Sequence, residues 1–147
     1  MNNISRELSL TPDIAGPISD NETEGQLLTI SEMSELFGVT LRTLRFYEEK
    51  GLLNPVRKGA RRYYRERDIG RMRVILQAKK IGLTLVEVRR IIKLVEGETP
   101  RGEQLKELSV ICDAQEQLLK EQEQAIQEQI SEVRNVATAL RELHSAA

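Results

Sequence analysis

The chain has a single cysteine among its 147 residues, so it cannot form an intramolecular disulfide and no disulfide framework holds its fold together. It also lacks any apolar run that approaches the roughly 18 residues of a membrane-spanning helix, and its N-terminus lacks the apolar stretch of a secretion signal. These absences exclude a disulfide-rich class and a membrane class of protein. We therefore expect a soluble, cytoplasmic protein with no membrane partner.

Metal ligands and catalytic groups are equally scarce. Coordination of a soft metal needs two or more converging cysteine or histidine side chains, and the chain offers only Cys112 and His144. Cys112 lies on an apolar helical stripe, where a buried thiol behaves as a small hydrophobic group. A thiol-based sensing role is the minor alternative. No cluster of His, Cys and carboxylate residues suggests catalysis, so we predict no enzyme activity, no cofactor and no metal site.

Charge is balanced overall but segregated along the chain. The formal net charge is -1, yet residues 1–26 carry one base and five acids, residues 27–100 carry 16 bases and nine acids, and residues 101–147 carry five bases and nine acids. All 16 central bases lie between Arg42 and Lys93, among the aromatic residues Phe46, Tyr47, Tyr63 and Tyr64. A compact basic segment with interleaved aromatics is typical of a nucleic-acid-binding module, whereas a solvated basic helix surface is the alternative.

The first ordered elements are predicted to form a helix-turn-helix. Thr29 and Glu32 fit a capping box at the start of a helix that Gly38 ends. After a turn of only three residues, a second helix capped by Thr40 runs to Gly51. Two short helices joined by a three-residue turn with a glycine are typical of this motif.

A wing and two further helices are predicted to follow. Pro55 cannot continue a helix, and the next residues favour a small β-hairpin. Its tip carries four cations: Arg57, Lys58, Arg61 and Arg62. So high a density of positive charge is unfavourable anywhere except in water or beside phosphate. A third helix is predicted from Glu66 to Ile81, and a fourth begins at a capping box at Thr84 and ends near Gly97.

Residues 103–144 follow a heptad pattern. One series of sevens is apolar throughout, from Leu105 to Leu140, and the second is apolar at both ends with glutamine at positions 115, 122 and 129. Sustained heptads favour a coiled coil, and a lone helix with so narrow an apolar stripe is marginal in water. We predict dimerisation with a second copy through Leu105, Leu108, Cys112, Leu119, Ile126, Val133, Val136 and Leu140. Packing of this helix onto its own domain is the alternative.

Four ordered motifs then identify a relationship: RFYEEKGLL at 45–53, RYY at 62–64, DI at 68–69 and IGLTLVEV at 81–88. In that order they resemble the MerR family of bacterial transcription regulators. The resemblance implies a mainly α fold, with a winged helix-turn-helix DNA-binding domain over residues 28–97 and a long antiparallel coiled-coil dimerisation helix over residues 103–144. Residues 1–27 lack sustained periodicity, so we expect a disordered N-terminal arm.

The implied function is that of a homodimeric, sequence-specific regulator that distorts double-stranded promoter DNA and reaches RNA polymerase indirectly through the promoter. The alternative is a coiled-coil assembly or adaptor protein with a basic, nucleic-acid-binding head. Arg42, Thr43 and Arg45 on one helix after a short turn favour the regulator, since an adaptor has no need for them.

Helix 2 is expected to enter the major groove, with Arg42 and Thr43 near base edges and Arg45 one turn further on. The resemblance implies phosphate contacts for Arg45, Tyr47, Arg62 and Tyr64. Arg57, Lys58 and Arg61 either reach a minor groove or only raise the local potential. Leu41 and Leu44 are expected in the core, and Phe46 there or under the wing.

Two further expectations concern the third and fourth helices. Arg65 stands where a capping serine or threonine is frequent, so the start of the third helix is expected to be looser or shifted. The remaining bases are expected on solvated faces: Arg71, Arg73, Lys79, Lys80, Arg89 and Arg90.

Overall fold

The computed structural model describes residues 11–19 and 27–147. Within these ranges the fold is mainly α, as predicted, with helices α1 (Ile30–Phe37), α2 (Leu41–Glu49), α3 (Glu66–Lys80), α4 (Leu85–Glu96) and α5 (Arg101–Ala146). Strands β1 (Leu28–Thr29), β2 (Val56–Lys58) and β3 (Arg61–Tyr64) form an antiparallel sheet in the order β1-β3-β2. The chain forms two compact units that divide between Leu108 and Ser109.

Threonine residues begin three of the helices, as the capping patterns predict. Thr29 Oγ1 accepts the Glu32 backbone N–H and Glu32 Oε1 accepts the Thr29 N–H, both at 3.1 Å. Thr40 and Thr84 accept the backbone N–H of the third residue beyond them, at 3.1 Å and 3.3 Å. These oxygens satisfy donors that the first turn of a helix leaves unpaired.

The start of α3 uses a different cap. Arginine has no acceptor atom, so Arg65 cannot cap the helix with its own side chain. The buried carboxylate of Asp68 instead accepts the backbone N–H of Arg65 at 3.3 Å and that of Asn54 at 2.9 Å. Burial raises the pKa of Asp68, and these two hydrogen bonds offset part of the shift. The expected loosening is therefore wrong, and α3 begins at Glu66.

The core of the N-terminal unit lies where the sheet meets the first four helices. Side chains from every one of these helices and from β3 are fully buried there: Met33, Leu44, Tyr64, Met72, Ile75, Val88 and Ile91. A core drawn from so many elements holds the helix-turn-helix and the hairpin in one rigid body.

An ion-pair network joins α3 to α4. Arg71 donates to Glu96 from Nε at 2.5 Å and from NH2 at 2.9 Å, and Arg67 NH2 donates to the same carboxylate at 3.0 Å. Arg71 also donates to the Leu52 carbonyl at 3.1 Å. Burial alone would raise the pKa of Glu96, but the hydrogen bonds from Arg71 and Arg67 hold it below its usual value. Arg71 is thus a structural cross-link, and its expected solvated position is wrong.

Residues 11–19 pack against α3 and α4 and contain a short 3-10 helix, Asp13–Ala15. Ile14, Ala15 and Ile18 are buried. The predicted disorder is therefore wrong for this segment, because its three small or branched apolar side chains are buried in a groove. Of the rest of the predicted arm, residues 1–10 and 20–26 lie outside the described residues, and Leu27 is exposed directly before β1.

The predicted dimerisation helix is the 46-residue α5, which extends beyond residues 103–144 at both ends. In the N-terminal unit its early turns bury Leu108 and leave Leu105 exposed. In the C-terminal unit all the predicted dimerisation residues are exposed: Cys112, Leu119, Ile126, Val133, Val136 and Leu140. None of the helices in the described ranges combines the length and apolar character needed to cross a lipid bilayer.

Candidate nucleic-acid interface

The turn between α1 and α2 positions the second helix. Gly38 adopts a left-handed conformation, with φ of 62° and ψ of 35°, which ends α1 without the steric cost that a side chain would impose. Ser34 donates from Oγ to the Val39 carbonyl at 2.5 Å, so the polar groups of the turn are satisfied locally. This geometry confirms the predicted helix-turn-helix.

Helix α2 presents two arginines to solvent. Arg42 and Arg45 are both exposed, and residues three apart in a helix share a face. Leu44 lies on the opposite side in the core, as predicted. Thr43 is half-buried, with its hydroxyl oxygen 3.0 Å from that of Thr40, so it takes part in the cap of its own helix. The polar outer face of α2 therefore depends chiefly on Arg42 and Arg45.

Three apolar or aromatic side chains of α2 differ in their burial. Tyr47 is buried, and burial raises the pKa of its hydroxyl. Leu41 and Phe46, expected in the core or under the wing, are 40% and 41% exposed. The Phe46 ring lies 5.6 Å from the Tyr47 ring and 5.5 Å from the Lys50 ammonium group, a cation–π contact. The core side of α2 is occupied by Leu44 and Tyr47.

The wing is the hairpin of β2 and β3, residues 56–64. Arg57 pairs with Arg62 and Lys58 pairs with Arg61 across a turn in which Gly59 has a φ of 66°. All four cations are exposed. Like charges directly opposite each other destabilise a hairpin, so an anion bound between them would relieve the repulsion.

Glu48 of α2 connects the wing to the helix-turn-helix. Alternate residues of a strand share a face, and Arg62 and Tyr64 of β3 both reach this one carboxylate. Arg62 NH1 donates to Glu48 Oε2 at 3.0 Å, and the Tyr64 hydroxyl donates to Oε1. Burial, then the hydrogen bond and the charge of Glu48, raise the pKa of Tyr64.

The predicted wing role of Tyr64 is consequently wrong in its geometry. Its side chain is fully buried, so its hydroxyl supports Glu48 and is not presented to a phosphate. Sequence reasoning also missed Glu48. The available signal was the period-two spacing that puts Arg62 and Tyr64, both hydrogen-bond donors, on one face of β3, where a single carboxylate can accept from both.

Helix α2 and the wing meet at one open concavity of about 710 Å³. Of the predicted DNA-binding residues it brings together Arg45, Arg61 and Arg62, whereas Arg42, Thr43, Arg57 and Lys58 lie outside its lining. The cap and first residues of α1, the acids of α2 and the turn of the wing complete its wall: Thr29, Ile30, Ser31, Glu48, Glu49 and Ala60. Among the residues that the structure describes, no three His, Cys, Asp or Glu side chains are grouped as a metal ion would require.

A helix-turn-helix whose second helix displays arginines beside a cationic hairpin defines a winged helix-turn-helix protein. The model of the MerR helix-turn-helix family of regulatory proteins matches residues 28–94. The mercuric resistance operon regulatory protein of Serratia marcescens is 30% identical over 118 residues, which cover 79% of this chain and 74% of that protein. The chain therefore belongs to the MerR family.

Other relatives match a shorter part of the chain. The helix-turn-helix transcriptional regulator CueR of Escherichia coli is 30% identical over 69 residues, which cover 46% of this chain and 51% of that protein. A crystal structure of HiNmlR, a MerR family regulator lacking the sensor domain, bound to promoter DNA, shares the fold, with a TM-score of 0.50 and 23% identity over 72% of this chain and 80% of that one.

Family membership decides between the two functional classes considered from the sequence. MerR proteins are transcription regulators, so the coiled-coil assembly or adaptor protein is not favoured, and the expectation that the chain is not an enzyme agrees with the family.

Proposed function

We propose that this protein is a homodimeric regulator that binds a specific, two-fold symmetric site in promoter DNA and distorts it. It would act in the cytoplasm and influence RNA polymerase through the shape of the promoter. Deformation of base pairs that the protein does not touch costs energy that depends on their sequence, which makes distortion a means of both specificity and control.

One observation carries the proposal: Arg45 of α2, the proposed recognition helix, lines a single open surface together with Arg61 and Arg62 of the wing. Three guanidinium groups on one open concave wall supply the donors and the positive charge that binding of a phosphate backbone requires. Arg42 lies outside this wall and is exposed on α2, where an arginine can donate two hydrogen bonds to a guanine.

The homodimer is supported by the exposed stripe of α5. Ile126 is 55% exposed and Val133 is 66% exposed, and such a row of apolar side chains marks a protein-binding surface. Heptad spacing favours a second helix of the same kind as the partner. A dimer presents two basic heads, which agrees with recognition of a symmetric DNA site.

Footprinting at the protein's own promoter and at neighbouring promoters tests the proposal, combined with chemical probing for distorted base pairs at the centre of the protected site. Binding should weaken steeply with salt, with a log–log slope of about -0.9 for each phosphate bound. In the variant Arg45→Ala/Arg61→Ala the slope should become shallower by that amount for each phosphate that is no longer bound. The matched control, Lys106→Ala/Arg134→Ala, removes two cations from α5.

Absence of any protected site would contradict the proposed regulator. A salt slope that falls equally in both double variants would contradict the assignment of the interface, because net charge alone would then explain binding.

A further inference from the structure

Residues 11–19, which we call the strap, lie outside the part of the chain that matches the family model. The strap buries Ile14, Ala15 and Ile18, whereas Thr11, Pro12, Asp13 and Pro17 are exposed. A segment that served only as a solvent-exposed linker would not bury branched apolar side chains at a regular spacing. The strap thus has the character of a peptide bound to a complementary surface.

Two glycines allow the strap to approach this surface closely. A Cβ atom at Gly70 of α3 would lie 3.2 Å from Ile18 Cγ2, and a Cβ atom at Gly16 would lie 3.3 Å from the Val95 Cβ of α4. Gly16 also has a φ of 62°, a conformation that favours glycine. The groove for Ile18 therefore exists because α3 has no side chain at position 70.

Polar side chains hold the strap by its backbone. Gln77 of α3 accepts the Ile14 N–H at 2.6 Å, and Arg101, the first residue of α5, donates to the Ala15 carbonyl at 2.5 Å. Arg101 also donates to Gln104 Oε1 at 3.0 Å, and Gln104 donates to the Gly97 carbonyl at 3.4 Å. These hydrogen bonds link the strap, the end of α4 and the first turn of α5 in one network.

We infer that the strap is an intramolecular clamp that fixes the first turn of α5 on the DNA-binding unit. It contacts α3 through Gln77 and Gly70, α4 through Val95 and α5 through Arg101. The strap therefore bridges the two helices that residues 97–100 connect. Because α5 is one continuous helix, a restraint on its first turn limits how a dimer can hold its two DNA-binding heads. This consequence rests on the proposed function, whereas the clamp itself does not.

The clamp is tested in the full chain with Ile14→Ser/Ile18→Ser, which removes its apolar anchors without adding charge. The matched control is Val86→Ser/Val110→Ser, at positions that are 77% and 61% exposed. Hydrogen exchange should accelerate at residues 11–19 and at residues 101–108 in the first variant only, because the network through Arg101 opens. Unchanged exchange at 101–108 would overturn the clamp even if the strap itself were released.

A second variant separates strap displacement from general damage to the fold. In the otherwise unchanged chain, Gly70→Gln should lower the melting temperature and release the strap, because its side chain occupies the place of Ile18. In the Ile14→Ser/Ile18→Ser background the same change should raise the melting temperature, since glutamine is a better helix former than glycine. A decrease in both backgrounds would overturn the inferred packing of the strap against position 70.

DNA binding gives the functional readout, with a duplex selected from a random pool by the wild-type protein as probe. Variants in which the strap is detached should lose affinity for the full symmetric site by about 5- to 150-fold, the usual range of coupling between sites. They should keep their affinity for an isolated half-site. Equal losses on both probes would overturn the inferred role in head geometry. Failure of the wild-type protein to select any duplex would instead contradict the proposed function, and the exchange experiment would still test the clamp.

Discussion

Glu48 of α2 and Arg62 of β3 form an ion pair, with 3.0 Å between Glu48 Oε2 and Arg62 NH1. The Glu48 side chain is only 14% exposed and the Arg62 side chain is 42% exposed, so the acid is anchored while the base still reaches solvent. Tyr64 holds the second oxygen of the same carboxylate. One acid thereby sets the position of the wing relative to α2, and with it the direction of Arg62.

Glu48→Gln should lower the free energy of unfolding by about 1–2 kcal/mol, because an amide offers one neutral acceptor where two charged oxygens served two donors. Urea denaturation measures this loss. The neighbouring Glu49 is exposed and provides the control, since Glu49→Gln removes the same charge and should change stability by less than about 0.5 kcal/mol. Equal losses in the two variants would show that Glu48 does not hold the wing.

Arg42 and Arg57 should differ in what they contribute to DNA binding. Arg42→Ala is expected to cost about 1–3 kcal/mol of discrimination and to relax base preference at one symmetric pair of positions. Arg57→Ala should weaken binding to all duplexes alike and make the salt slope shallower by about 0.9 for each phosphate that is no longer bound. Selection from a random duplex pool, followed by titration at several salt concentrations, separates the two effects. If both variants bound more weakly without any change in sequence preference, α2 would not be the reading helix.

Leu119→Asp/Ile126→Asp should convert the protein to monomers, because two buried carboxylates on the continuous heptad series cannot be desolvated within a helix pair. Sedimentation velocity measures the change. Val110→Asp/Ser131→Asp adds the same charge at exposed positions off this series, and that control should remain dimeric. A dimeric Leu119→Asp/Ile126→Asp variant would remove the basis for the coiled coil.

Glu96 should make stability depend on pH. Its folded-state pKa is lowered by Arg71 and Arg67, so its contribution is present above the unfolded-state pKa of about 4.3 and is lost as pH falls through the folded-state value. Glu96→Gln should therefore cost about 1.5–3 kcal/mol at pH 7 and much less in acid. Asp68, whose pKa is raised, acts in the opposite sense: its contribution is present below its unfolded-state pKa and is lost as pH rises.

Comparison of denaturation curves for the wild type and Glu96→Gln from pH 3 to pH 7, a range of about four units around the carboxylate pKa, isolates this contribution. Asp68 is present in both proteins, so its effect cancels in the difference. The exposed Glu98 gives the control, and Glu98→Gln should show no such pH-dependent difference. A difference that stays constant with pH would exclude the ion pair with Arg71 and Arg67 as the source.

Local patterns predicted the helices well because their determinants are close in sequence. Thr29, Thr40 and Thr84 each cap a helix through a residue three positions away, and Gly38 ends α1 by its own backbone conformation. The bounds of α4 followed from the same kind of signal, whereas the cap that Asp68 gives α3 was not predicted. Strand β1 was not predicted, because two residues, Leu28–Thr29, have no period of their own and form a strand only by pairing with β3.

The sequence by itself determined the family, the helix-turn-helix and the cationic wing, since each depends on residues a few positions apart. Only the tertiary structure decided which side chains remain exposed at the surface. It buried Tyr64 and exposed Phe46, although both are aromatic residues of the basic segment, because core space depends on neighbours that are distant in sequence. It likewise docked residues 11–19, whose groove is made by Gly70, Gln77 and Arg101 at separations of about 50 to 90 residues, which no local pattern can encode.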